Sequence, residues 1–143
     1  MADCVICKYG SESGCIVFQN EHWIVRHSDE TNIPGYVLIQ PRRHFLDLSF
    51  ATAAEAASYG EVLAATTSVV REVVQPERVY TFSLGESCPH YHLHVIPRRA
   101  DFPRAYMARG IMQYPLQPAV DASVCELTCE RLRRAFRLTS ACR

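Results

Sequence analysis

A chain of 143 residues, 48% of them hydrophobic, is long enough to bury one sizeable core and requires no second domain. Its 15 basic and 15 acidic side chains cancel, which argues against a general nucleic-acid binder, whose affinity rests on Lys and Arg neutralising many phosphates. The first residues lack the apolar run of a signal peptide and no stretch is long enough to span a bilayer, so a cytoplasmic protein with no membrane partner is expected.

Cysteines in that compartment are expected to stay reduced, and an odd count of 7 leaves one unpaired in any scheme; metal binding or simple burial is expected in place of disulfides. Cys4 and Cys7 form a CxxC pair, followed by a loop, Tyr9-Gly10-Ser11-Glu12-Ser13-Gly14. A redox CxxC opens a helix after a strand. Neither flank has that character here, which favours a metal pair, with two plain thiols as the alternative. Residues 15–19 and 22–26 read as a hairpin around Gln19-Asn20-Glu21, with Trp23 in the core and His22 and His27 as solvated polar residues.

Turn formers Ser28, Asp29, Asn32, Pro34 and Gly35 lead into a buried strand, Tyr36-Val37-Leu38-Ile39-Gln40, which Pro41-Arg42-Arg43-His44 ends. Thr52-Ala53-Ala54-Glu55 is a capping box. The helix it opens has an apolar stripe of Val62, Leu63, Thr66, Val69, Val70 and Val73, and Pro76 stops it soon after Val74. Residues 79–84 return as a strand, Gly85-Glu86-Ser87-Cys88-Pro89 is a loop, and a strand rich in histidine follows as its antiparallel neighbour. The proline-rich stretch 100–119 reads as irregular chain draped over the body, with Tyr106 and Tyr114 either packed beneath it or stacked on a base. A last helix, 123–138, carries a second capping box, Ser123-Val124-Cys125-Glu126, and a ridge of Cys125, Cys129, Leu132 and Phe136. Cys125 and Cys129 stand at metal-ligand spacing, although buried thiols are favoured; Arg131, Arg133, Arg134 and Arg137 suit the helix dipole on a solvated face.

The chemistry concentrates in His90-Tyr91-His92-Leu93-His94-Val95-Ile96-Pro97-Arg98-Arg99. In a strand, alternate side chains share a face, so the three imidazoles would stand in a row, neighbours roughly 6.6 Å apart. Cys4, Cys7, His44 and one histidine of the row would make the Cys₂His₂ set that tetrahedral zinc prefers; with four protein ligands the metal would be structural. The remaining histidines suit attack on phosphorus, because a neutral imidazole is nucleophilic near pH 7. Ser87 and backbone N–H groups of the Gly85 loop would hold the phosphate oxygens, with Gly85 permitting close approach. Arg98 and Arg99 would meet further phosphates or lie in solvent.

His90-Tyr91-His92-Leu93-His94-Val95-Ile96 resembles the signature of the histidine triad (HIT) superfamily of nucleotide hydrolases and transferases. Pro34-Gly35-Tyr36-Val37-Leu38-Ile39-Gln40-Pro41-Arg42-Arg43-His44 resembles the family's second block, and the likeness spans residues 4–99. It implies an α+β fold in which an antiparallel sheet carries a long helix, here with an extra C-terminal helix. Residues 1–99 would form the core with its zinc site, and residues 100–143 an extension packed on that core. The resemblance further implies a homodimer and a nucleotidyl-histidine intermediate, with His92 as nucleophile and His94 and Ser87 on the scissile phosphate. In zinc-bearing branches the ligands match Cys4, Cys7, His44 and His90. Asp29 or Ser28 falls near the ribose contact.

Two residues depart from the pattern: many members have histidine where this chain has Tyr36, and glutamine where it has Glu86. A carboxylate beside a phosphate repels it unless a cation offsets the charge. The implied activity is hydrolysis or transfer on a nucleoside phosphoramidate or dinucleoside polyphosphate. The competing functions are a non-catalytic nucleotide- or protein-binding module with structural zinc, and a zinc-dependent nucleic-acid binder.

Overall fold

Short β-branched stretches separated by turn formers supply every strand of a computed structural model that describes residues 4–9 and 15–139. The strands are β1 (Ile16–Gln19), β2 (Trp23–His27), β3 (Val37–Pro41), β4 (Arg78–Phe82) and β5 (Leu93–Arg98); the helices are α1 (Val5–Tyr9), α2 (Ala53–Val74) and α3 (Ala122–Leu138). The strands form one five-stranded sheet in the order β1-β2-β3-β5-β4, and each neighbouring pair is antiparallel. The fold is α+β, as expected.

Register gives the sheet two different faces. Trp23, Val25, Val37, Ile39, Leu93 and Val95 belong to one cluster with Val62, Val69 and Val70 of α2 and Leu132, Ala135 and Phe136 of α3. Trp23 is fully buried there and donates its Nε1–H to Ser58 Oγ at 3.0 Å. On the opposite face, pairing aligns Arg26 with Leu38, Leu38 with His94 and His94 with Phe82. Beside this row, Ile33, Tyr36, Ile96 and Phe102 form a second cluster, roofed by Tyr106, Ile111 and Tyr114. The proline-rich segment is thus packed on the sheet, with Phe102 and Tyr114 stacked at 4.4 Å between ring centres. Asn32 Nδ2 donates to the Pro115 carbonyl at 2.9 Å, which fastens the segment further along.

Helix α2 starts on the predicted capping box, with Glu55 N–H donating to Thr52 Oγ1 at 3.2 Å and Thr52 N–H to Glu55 Oε2 at 2.7 Å. It ends at Gln75, whose left-handed φ of 54° turns the chain ahead of Pro76. Arg43 adds a two-pronged bond to Glu55, at 3.0 and 2.7 Å, that spacing did not disclose. This guanidinium, together with Thr52 and against the cost of burial, lowers Glu55 to about 2. A depressed carboxylate contributes stability that is complete above its unfolded value of 4.5 and is lost as pH falls towards 2. Glu55→Gln is therefore expected to cost about 1–2 kcal/mol at pH 7. Urea unfolding should show that difference shrinking by about half or more at pH 3; an unchanged difference would refute the assignment.

Several local expectations are corrected. The histidine strand begins only at Leu93; His90, at a bend, and His92 lie in the lead-in, which Tyr91 N–H pins to the Phe45 carbonyl at 2.7 Å. The CxxC pair sits at a one-turn helix, with Lys8 N–H donating to the Cys4 carbonyl at 3.0 Å; residues 10–14 of the predicted loop lie outside the described residues. Asp121, not Ser123, caps α3: its carboxylate accepts from Ser123 N–H at 2.9 Å, so the helix starts earlier and the Ser123/Glu126 box does not form. His27 is 1% exposed, not solvated, because β2 runs one residue past the predicted end. Cys15 and Cys129 are bonded to each other across 114 residues of sequence, where no disulfide was expected. Tertiary packing of α3 over β1 brings these two together, which compartment and count do not reveal.

Candidate active site and metal centre

The two histidines assigned to phosphorus chemistry stand with ring centres 4.8 Å apart and planes at 72°. His92 Nδ1 lies 2.7 Å from the carbonyl oxygen of His90. A carbonyl only accepts, so Nδ1 carries a proton, and in the neutral ring the lone pair is at Nε2. His92 is buried, with 8% of its surface exposed. His94 Nδ1 meets the Tyr36 hydroxyl at 2.6 Å, and Phe82 stacks on its ring at 4.8 Å. Burial, with the charge of His92 as the lesser cause, lowers His94 to about 4, so it is uncharged at neutral pH.

Both rings line a cavity of about 310 Å³. Ser28, Asp29 and Ser87 line it as well, so the residues predicted to contact ribose and phosphate converge on the same space as His92 and His94. Gly85 is not part of this lining: an added Cβ would meet nothing within 4 Å, so close approach does not call for glycine there, and the left-handed φ of 74° does. Arg98 does not share the lining. Its guanidinium lies at the far end of β5 and pairs with Glu77 at 2.7 Å, while Arg99 pairs with Asp101 at 2.8 Å. Glu86 is exposed and is not a wall of the cavity.

On the other side of His90, four ligand atoms converge. Cys7 Sγ is 3.4 Å from both His44 Nδ1 and His90 Nδ1, and Cys4 Sγ is 3.6 Å from His90 Nδ1. Ligands about 2.1–2.3 Å from a tetrahedral ion stand about 3.4–3.8 Å apart, so the set fits a single metal. His90 Nε2–H donates to the Pro41 carbonyl at 3.1 Å, which turns the Nδ1 lone pair towards the thiols, the support that metal-binding imidazoles require. Burial opposes ionisation of Cys4, but the Cys7 N–H and thiol outweigh it and hold Cys4 below its ordinary value; burial and Cys4 push Cys7 up.

A family model described as the HIT domain matches residues 11–101. The chain belongs to that family. Among curated relatives, Protein hit of Bacillus subtilis is 25% identical over 103 residues, covering 67% of this chain and 71% of its own. Among solved structures, a hypothetical histidine triad nucleotide-binding protein from Sulfolobus tokodaii superposes with a TM-score of 0.74 at 18% identity, covering 94% of this chain and 92% of that one. A zinc-bound histidine triad family protein from Mycobacterium smegmatis superposes at 0.70 with 20% identity and 99% coverage of both chains. HIT membership supports a function in nucleotide binding or hydrolysis.

Within this HIT site, sequence reading missed Arg26, Gln40 and Leu116, all of which line the cavity. Alternation along β2 and β3 was the available signal for the first two, since positions 26, 38 and 40 must share the face of His94. Leu116 arrives from the proline-rich segment and carried no signal. A second group, His27, Cys125 and Cys129, also has ligand atoms within 4.8 Å of one another. Its members are otherwise engaged: His27 bonds the Ser28 carbonyl through Nδ1 at 2.7 Å and accepts from Gly35 N–H through Nε2 at 2.9 Å, and Cys129 is bonded to Cys15. Among the described residues, no helix is long and apolar enough to cross a membrane.

Proposed function

We propose that this HIT protein is an enzyme that cleaves a nucleoside phosphoramidate or a dinucleoside polyphosphate through a covalent nucleotidyl-His92 intermediate. The observation that carries the reading is the bond from His92 Nδ1–H to the His90 carbonyl, which leaves Nε2 as the nucleophilic edge on a ligand-sized cavity. In the first step the Nε2 lone pair forms a bond to the α-phosphorus, and the phosphorus–nitrogen or phosphoanhydride bond breaks with its electrons leaving on the nitrogen, which takes a proton from solvent as the amine departs, or on the phosphate. In the second, water attacks the same phosphorus, His92 departs and a mononucleotide is released. Ser87 and the loop N–H groups bind the non-bridging oxygens, His94 donates to them, and Asp29 with Ser28 binds the ribose. Arg98 would act only on a substrate arm long enough to reach past the cavity.

Cys4, Cys7, His44 and His90 hold one zinc ion in this reading. Zinc supplies a four-cornered crosslink between the N-terminus, the end of β3 and the lead-in to β5. The working form is a cytoplasmic homodimer, to be checked by light scattering against the chain mass of 16.2 kDa.

The decisive experiment incubates the protein with a panel of adenosine and guanosine phosphoramidates and dinucleoside polyphosphates and scores release of mononucleotide. Release from at least one class is expected, with radiolabel from the nucleotide retained on protein in acid-quenched samples. Calorimetric binding of nucleotides without turnover of any panel member would instead establish a binding module.

A further inference from the structure

We propose that Tyr36 is a positioning residue that fixes His94 in the tautomer opposite to that of His92, so that neighbouring imidazoles present a bare nitrogen and an N–H donor to one phosphate. The inference deepens the nucleotidyl-transfer reading above and rests on it for its catalytic meaning. Residue type alone makes the two histidines interchangeable; their partners do not.

The Tyr36 hydroxyl is 2.6 Å from His94 Nδ1, with ring centres 5.8 Å apart at 57°. Tyr36 is 5% exposed, and among the described residues His94 is the one hydrogen-bond partner of its hydroxyl. Two proton arrangements would close this bond. Were His94 Nδ1 the donor, the phenolic proton would have no acceptor among the described residues. With the phenol donating, both groups are satisfied and the imidazole proton moves to Nε2. Burial pushes Tyr36 up to about 12 and His94 down to about 4, so near neutral pH the phenol keeps its proton and the imidazole is uncharged, as this arrangement requires. Phe82, stacked at 23° to the His94 ring, holds the plane in which Nε2–H points.

His92 is set the other way, because its Nδ1 faces a carbonyl that cannot donate. Its Nε2 attacks while the His94 Nε2–H binds the oxygen on which charge accumulates. A neutral donor fixed before the substrate arrives stabilises that charge without reorganisation. The inverse tautomer of His94 would aim a lone pair at a phosphate oxygen and repel it.

Two-bond proton–nitrogen correlation of the ¹⁵N-labelled native protein near neutral pH reads the tautomers directly. His94 is expected to be protonated at Nε2 and bare at Nδ1, and His92 the reverse; a His94 protonated at Nδ1 overturns the proposal. Tyr36→Phe is expected to remove the single-tautomer signature of His94 and to lower kcat about 10-fold with KM changed less than about 2-fold. Tyr36→His, which restores an N–H donor, is expected to recover part of both. A folded Tyr36→Phe with an unchanged His94 signature and full kcat also overturns the proposal. If that variant does not fold, the native spectrum decides alone. Should no nucleotide substrate be turned over, the proposed function fails while the spectrum still answers for the tautomers.

Discussion

Turnover of any nucleotide substrate is expected to fall by at least about 10³-fold when His92 is replaced by alanine. In the proposed mechanism the bond to the His90 carbonyl leaves Nε2 as the attacking atom, and nothing at that position in the variant could form the phosphorus–nitrogen bond. What remains is direct attack by water on a phosphate held by His94 and the Ser87 loop, a residual route that binding and charge stabilisation alone can sustain. The fold should survive, because the His92 side chain makes one hydrogen bond and its removal is expected to cost about 1–2 kcal/mol. Steady-state release of mononucleotide, together with acid-quench labelling, measures the effect: the parent should retain label and His92→Ala should not. Turnover in the variant within about 10-fold of the parent would sink the covalent mechanism.

Removing the metal is the second large perturbation. Replacing Cys4 and Cys7 together by serine, or chelating the native protein, is expected to lower the unfolding midpoint by roughly 10 °C, from about 3 kcal/mol of lost linkage. Metal analysis should find about one equivalent of zinc per native chain and none in the double variant. The expectation follows from where the ligands sit: α1, the residue after the Arg42-Arg43 turn and the lead-in to β5 are separate stretches of chain that one ion at the four ligand atoms would crosslink. His90 is both a proposed zinc ligand and, through its carbonyl, the partner of His92 Nδ1. Chelation is therefore expected to lower kcat below the melting transition as well. A zinc-free protein with an unchanged midpoint would refute the structural role.

Much of this site could be read from residue order. The capping box at Thr52 and Glu55 formed as predicted because its bonds are local, as did the stop at Gln75 and Pro76. The assembly of Cys4, Cys7, His44 and His90 was legible from ligand chemistry and family pattern, and the four atoms do converge. The cap of α3 was misread because Asp121 and Ser123 are both good caps, and only the path of the preceding chain selects between them. A residue at a strand end, such as His27, is buried or solvated according to what packs over it; here the Ser28 carbonyl and the Gly35 N–H supply both bonds that satisfy its ring.

Local pattern determined the strands, the two long helices and two antiparallel pairings, β1 with β2 and β4 with β5, since alternation, caps and turn residues act over a few bonds of chain. Tertiary structure alone decided the rest: the Cys15–Cys129 bond, the diversion of Arg98 to Glu77, the wall that Leu116 adds and the partner on each histidine. The reason is distance. Tyr36 and His94 are 58 residues apart in the chain, and the proton arrangement of an imidazole depends on which donor or acceptor folding brings to its edge.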